Sequence, residues 1–487
     1  MPRIRPRIRL RTGAIAAAGL LGVLLLPAAP LAAAPQAPAR PSAQGWIQED
    51  PGTADLRLDT GAEQEAPLGA SLEREPGDGP VALATFPARD LDRAVDELDV
   101  AIGVSGPAEG FSVEVRGERA EGVWGEWVPV AGSSPGAVAE EQGVRVRLPH
   151  PADRVQVRVG LSGKAAEGGS VLEEVRLRPV GAADDAADGG LPGDPFSARL
   201  FATRIGLVGA TTANGHTVRA DDHFVALPSR RALAPRGSGD YTVRVCTEED
   251  GDGRRCAYAP VWDVGPWNIK DDHWNNDREM WRDLSHGTPQ AQAAYRDGYN
   301  GGRDGFGRKV LNPAGIDLAD GTFRDALKLP TNAWVRVDYL WTGDPRPRAR
   351  VAVADEGDPV VVRSGPGLDH PATGMAADGA RVAVECRTAG DRVEGPAGAA
   401  AEWLRIGEGD FVPADFAEGG GAAPECALPC PWGPEPQGVR PVRAARPHGS
   451  GNPAPRSRPR KAEGVALGHP FRNVLREARP RRRGRRR

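Results

Sequence analysis

Short apolar runs that alternate with polar residues and stop at Gly, Pro or Ser set the strongest limit on what this chain folds into. Between Pro80 and Val180 the runs VALATF, LDVAIGVSG, FSVEVRGER, VRVRLPH, RVQVRVGLSG and LEEVRLRPVG follow one another. Side chains alternate across a strand, so a period of two marks strands with one buried face. About seven such strands predict a β-sandwich over residues 80–180. Within it, GVWGEWVPV sets Trp124 and Trp127 at a bend or strand edge. The pair fits two roles, a carbohydrate-binding surface or the inside of a structural spacer.

The flanks are not strand-like. MPRIRPRIRLRTG carries five arginines and precedes the apolar run AIAAAGLLGVLLLPAAPLAAA. That order predicts a secretory signal peptide over residues 1–34, with an uncleaved anchor as the alternative. No other stretch is apolar enough to span a membrane, so no membrane association is expected once the signal is removed. Residues 35–79 and 181–197 read as linkers, rich in Pro, Ala, Gly and acidic residues. From Pro441 onward there are fifteen Lys and Arg against two Asp and Glu, which leaves the preceding chain at −17 out of a total of −4. The stretch 417–487 therefore reads as a disordered basic tail, drawn to anionic wall polymers if it binds anything. An acidic body on a secreted chain argues against nucleic acid. Export also permits disulfides. Cys246 and Cys256 flank TEEDGDGRR, a turn between two strand-like runs, and predict a bridge across a hairpin; the pairing of Cys386, Cys426 and Cys430 stays open.

Function concentrates between Ala198 and Trp341. PVWDVGPW and GIDLADGTF each place a carboxylate, Asp263 and Asp317, at the end of an apolar run before a turn. Strand ends are where a rigid scaffold presents side chains to a ligand. Six of the eleven tryptophans lie in the same stretch: Trp262, Trp267, Trp274, Trp281, Trp334 and Trp341. Flat aromatic faces beside two carboxylates predict a carbohydrate groove, because sugar C–H faces pack on rings while carboxylates handle hydroxyls and the glycosidic oxygen. Core tryptophans and turn aspartates are the competing account.

GATTANGH (Gly209–His216), DHFVALPS, YTVRV, APVWDVGPW and GIDLADGTF occur in the order found in the double-psi β-barrel of rare lipoprotein A, expansins, barwin and family 45 endoglucanases, which residues 198–343 resemble. The resemblance implies a six-stranded barrel with an open groove, Asp263 and Asp317 on its floor, Thr212 and Asn214 supplying hydrogen bonds there, and Trp267 and Trp274 holding the glycan. Two departures stand out. A 53-residue insert separates the aspartates, including a short helix in TPQAQAAYRDGY with Thr288 as N-cap. The histidine that lytic relatives carry is replaced by VALPS, with His223 three residues before Ala226. Residues 351–416, with VVVRSGPG, GARVAVEC and WLRIGEGDFVPADF, resemble a bacterial SH3-type domain that holds secreted enzymes to the cell wall. The sandwich resembles modules that precede catalytic domains in secreted actinobacterial wall amidases.

The expected fold class is mainly β and multi-domain: a sandwich, a double-psi barrel with a helical insert and a small SH3-type barrel. The expected function is to engage peptidoglycan or a related wall polysaccharide, with Asp317 as general acid between apolar neighbours and Asp263 as base or hydroxyl ligand. The alternatives are a polysaccharide binder without cleavage and a structural exoprotein. No Gly-rich phosphate loop or G-x-S-x-G elbow occurs, and the two DDH triplets match no metal-site spacing, so neither cofactor nor metal is expected.

Overall fold

The computed structural model of the protein describes residues 45–49, 57–58, 80–105, 111–130, 143–162, 171–180, 193–248, 253–343, 346–354 and 357–427. The expected signal peptide, Cys430 and most of the basic tail lie outside the described residues. The chain is mainly β, with a sandwich, a closed six-stranded barrel and a smaller β-module in sequence order.

The sandwich comprises β1 (Ile47–Glu49), β2 (Arg57–Leu58), β3 (Pro80–Thr85), β4 (Arg89–Ser105), β5 (Phe111–Ala120), β6 (Val123–Trp124), β7 (Val128–Pro129), β8 (Val144–Ser162) and β9 (Val171–Val180). The long strand β8 organises it. Its first half pairs with β4, from Glu97↔Arg147 to Val100↔Val144, and its second half lies between β5 and β3. Val155, Val157 and Val159 of β8 enter the core with Leu98, Val100, Val113, Val115 and Val175, as the alternation predicts. Strands β1 and β2 fall within the stretch read as a linker, and pair with β9 and β3. Two or three residues are too short to show a period, and what fixes β1 is buried Trp46, stacked under Arg178 at 4.6 Å.

The barrel comprises β10 (Ser197–Arg204), β11 (Val225–Leu227), β12 (Thr242–Thr247), β13 (Cys256–Val264), β14 (Ala314–Leu318) and β15 (Ala333–Tyr339). Its ring order is β11-β14-β10-β15-β12-β13, closed by β13 on β11. The β10/β14 and β11/β13 pairs are parallel and the other four antiparallel, the double-psi arrangement. Leu200, Ala202, Val225, Leu227, Val243, Val245, Ile316, Leu318, Val335 and Val337 fill the interior. Cys246 and Cys256 are opposed in the β12–β13 register and bonded. Helix α1 (Gln290–Asp297) lies in the insert and starts at Pro289, which makes no side-chain cap, so Thr288 is not the N-cap expected of it.

The third module contains β16 (Arg348–Val351), β17 (Val360–Arg363), β18 (Ala372–Ala376), β19 (Arg381–Ala383), β20 (Cys386–Gly395), β21 (Gly398–Gly407), β22 (Asp410–Pro413) and β23 (Ala417–Gly419). Strand β18 pairs in parallel with β13, from Cys256↔Gly374 to Tyr258↔Ala376, so barrel and module share a sheet. A Cβ at Gly374 would sit 1.7 Å from the Cys256 carbonyl oxygen, so only glycine allows this approach. Order also extends past 416. Backbone bonds join Arg387 to Pro424 and Cys426, beside a Cys386–Cys426 disulfide.

Sandwich and barrel meet through buried, fully partnered groups. Trp127 is 0 % exposed, with Arg116 over its ring at 4.4 Å, Arg158 at 4.3 Å and its Nε1 donating to the Leu233 carbonyl. Glu126 accepts from Trp274 Nε1 at 2.7 Å and Trp341 Nε1 at 2.8 Å. Trp124 is likewise buried, so the tryptophan pair forms a joint and not a binding surface.

Candidate functional site

The two aspartates meet for reasons of register. Asp317 lies between Ile316 and Leu318, both in the barrel core, and so faces outward. Ala226 faces the same way between Val225 and Leu227. Asp263 shares the parity of Val261, a core residue, and regular pairing would turn it inward. The β11–β13 register shifts after Val225↔Val261, so that Ala226 pairs with Asp263, and the extra residue Trp262 re-aims the carboxylate. Ala226 also pairs with Asp317, and Asp317 with Thr203. One row therefore crosses four strands: Asp263, Ala226, Asp317, Thr203. Two strand spacings separate the aspartates, about 10 Å between Cα atoms, with only a methyl group between them.

The row floors an open cleft of about 430 Å³. One side is built by Arg204, the last residue of β10, with Ile205 and Leu207 beyond it, the other by Arg308 and Asn312 of the insert, and Asn332 and Val264 complete it. Asp317 accepts a hydrogen bond from Thr203 Oγ1. Burial, with a smaller contribution from nearby Asp263, raises its pKa to about 6 against the lowering effect of Thr203. Asp263 is held differently. Its Oδ1 accepts from the backbone N–H of Ala213 at 2.8 Å and of Val264 at 2.9 Å, which ties the TANG turn to the end of β13.

Several expected site residues lie elsewhere. Thr212 and Asn214 are buried within that turn: Thr212 Oγ1 donates to Asn214 Oδ1, and Asn214 Nδ2 donates to the Ala234 carbonyl. They shape the backbone that holds Asp263 and do not line the cleft. Trp274 is 2 % exposed and stacks on Tyr339 at 5.1 Å in the barrel core. Trp267 is half-buried and packs on Ala291, Ala294 and Val310, while its Nε1 donates to Asn312 Oδ1 at 3.1 Å. It stands behind the insert wall. Among the described residues no aromatic ring lines the cleft, so the indole-lined groove expected from composition is replaced there by a polar one. Composition counts rings but does not say which way they face.

The other titratable groups singled out by the sequence lie outside the cleft lining. His216 pairs with Asp222 at 2.7 Å, and His223 is buried outside the cleft, its pKa lowered by desolvation. In the second DDH triplet Asp271 pairs with Arg278, Asp272 with Arg231, and His273 with the Tyr339 hydroxyl. Among the described residues no group of three His, Cys, Asp or Glu side chains is placed to hold a metal ion. Sequence reasoning missed Arg204, Arg308, Asn312 and Asn332, which carry no motif. The one available signal was the D-G-F-G-R spacing from Asp304 to Arg308, an acid and a base four residues apart around glycines.

Neither curated proteins nor solved structures give a match to the chain. Residues 196–338 match a family model described as Domain of unknown function (DUF8814), a span that begins one residue before β10 and ends one residue short of the end of β15, so the chain's similarity to that family covers the barrel and its insert.

Proposed function

We propose that the cleft engages a cell-wall glycan, peptidoglycan or a related polymer, and that Asp317 acts in it as the general acid for cleavage of a glycosidic bond. The observation that carries this reading is the outward row of Asp263, Ala226 and Asp317 on the floor of an open cleft, with Asp317 raised to about 6. A general acid must keep its proton near neutral pH until the leaving oxygen takes it. Asp317, partly buried and desolvated, has the raised pKa for this, and Asp263 has another task, since its Oδ1 holds two backbone amides.

This division favours chemistry that needs one acid over water attack assisted by a second free carboxylate. In it Asp317 gives its proton to the linkage oxygen as that oxygen's bond to the anomeric carbon breaks, and a hydroxyl of the same sugar attacks that carbon and returns its proton to Asp317. Purified walls digested with the full protein are expected to yield anhydro ends; reducing ends would instead assign hydrolysis. Retention of walls without either product supports the second reading, a binder that does not cut. That reading is favoured by the structural use of Asp263. The small β-module, as a wall anchor outside the cytoplasm, belongs to the same proposal and is supported by the two disulfides. Removing it is expected to release the protein from walls.

A further inference from the structure

The insert wall of the cleft presents a guanidinium fixed in place. Asp304, itself buried, accepts from the N–H groups of Phe306 at 3.0 Å and Arg308 at 2.8 Å through Oδ1, and from Arg308 Nε at 2.6 Å through Oδ2. Arg308 Nη2 donates to the Trp267 carbonyl at 2.7 Å, and the Phe306 ring lies 5.0 Å from the guanidinium carbon. The guanidinium is therefore oriented by two bonds and a ring, yet the side chain remains 46 % exposed. Asn312 beside it accepts from both Trp267 Nε1 and the Ala314 N–H through Oδ1, which commits its acceptor and leaves the amide group as donor. Across the cleft Arg204, 38 % exposed, leans on Asp320 at 3.2 Å.

We propose that this wall pairs with a carboxylate carried by the sugar chain, so that the cleft takes an acidic polysaccharide in preference to a neutral one. The proposal rests on the reading of the cleft as a glycan site. A planar guanidinium held along one edge presents its remaining N–H groups as a fork that matches carboxylate geometry, and it loses little freedom on binding. The floor carboxylates repel a second acid, so the ligand's charge goes to the wall while its linkage oxygen reaches Asp317. A neutral pyranose, by contrast, gains most from a flat aromatic face, and none lines the cleft.

The test uses the full chain in titration calorimetry with three probes: peptide-free wall glycan strands, the same strands with their carboxylates converted to methyl amides, and oligogalacturonate. Native strands are expected to bind about tenfold more tightly than amidated ones, with the gap narrowing as salt is added. Arg308→Gln is expected to erase the gap, and Arg308→Lys to restore part of it, because an ammonium lacks the fork. Tight binding of oligogalacturonate alone supports the acidic preference and moves the acid onto the sugar ring, removing wall glycan as the polymer. Equal binding of native and amidated strands overturns the proposal while leaving the glycan reading intact, as does a gap that survives in Arg308→Gln. Failure of all three probes to bind overturns both.

Discussion

Asp317 carries two consequences that one substitution separates. As a general acid it works only while protonated, so cleavage is expected to fall as pH rises through about 6. Asp317→Asn is expected to abolish product formation at every pH, measured as new glycan ends. The second consequence is stability. The folded-state pKa lies above the ordinary value of 3.8, so between these values the folded chain binds more protons than the unfolded one, and stability falls as pH rises from about 4 to about 6. Above pH 6 the carboxylate is a net cost, trimmed by its solvent-facing edge to about 1–2 kcal/mol. Asp317→Asn should therefore raise the unfolding midpoint at pH 7 and flatten its pH dependence, while wild type and variant converge near pH 4. Thr203→Val removes the hydroxyl that favours the ionised form, and is expected to move the falling limb of the cleavage profile to higher pH.

At the scale of elements, the barrel was legible through the order of its short motifs, and its β12–β13 hairpin because Cys246 and Cys256 bracket a short turn-rich tip. Asp263 and Asp317 were legible as strand-end carboxylates. What brings them together was not, since it depends on the extra residue at Trp262 and on a three-residue strand, β11, between them. The tryptophans misled for a physical reason. Their large apolar area fills joints as readily as it lines grooves, and Trp127, Trp274 and Trp341 find their Nε1 partners inside the protein. The 424–426 segment lay beyond the last readable strand pattern, and it is pinned to β20 by the Cys386–Cys426 bond across 40 residues. Replacing both cysteines with serine is expected to cost the third module about 3–4 kcal/mol by loop entropy, read as a lower denaturation midpoint without reductant and no difference with it.

At the scale of the molecule, the described modules are joined by side-chain hydrogen bonds at each boundary. Trp127 of the sandwich donates to the Leu233 carbonyl of the barrel at 3.2 Å, Tyr258 of the barrel donates to Asp410 of the third module at 2.8 Å, and Arg381 of that module donates to the Gly122 carbonyl of the sandwich at 2.7 Å. Trp127→Ala empties the first joint and takes the ring face from two buried guanidiniums, which keep their pairs with Asp240 and Glu114, at a cost of about 3–5 kcal/mol. Because the Trp127 N–H and Nε1 also hold Arg231 and Leu233 just past β11, the loss is expected to lower both the thermal midpoint and cleft activity. An unchanged midpoint would mean that sandwich and barrel unfold independently.

Strand β13 begins where it grips β18 and carries Asp263 one residue before its end at Val264. From Tyr258 to Asp263 is five residues, about 17 Å of extended backbone. Whatever surface the small module settles on, the Asp263 end of the cleft floor lies a set distance from that foothold, with no hinge in between. A fixed molecule would then nibble only the strands within its own short radius, and would have to let go before working anywhere else.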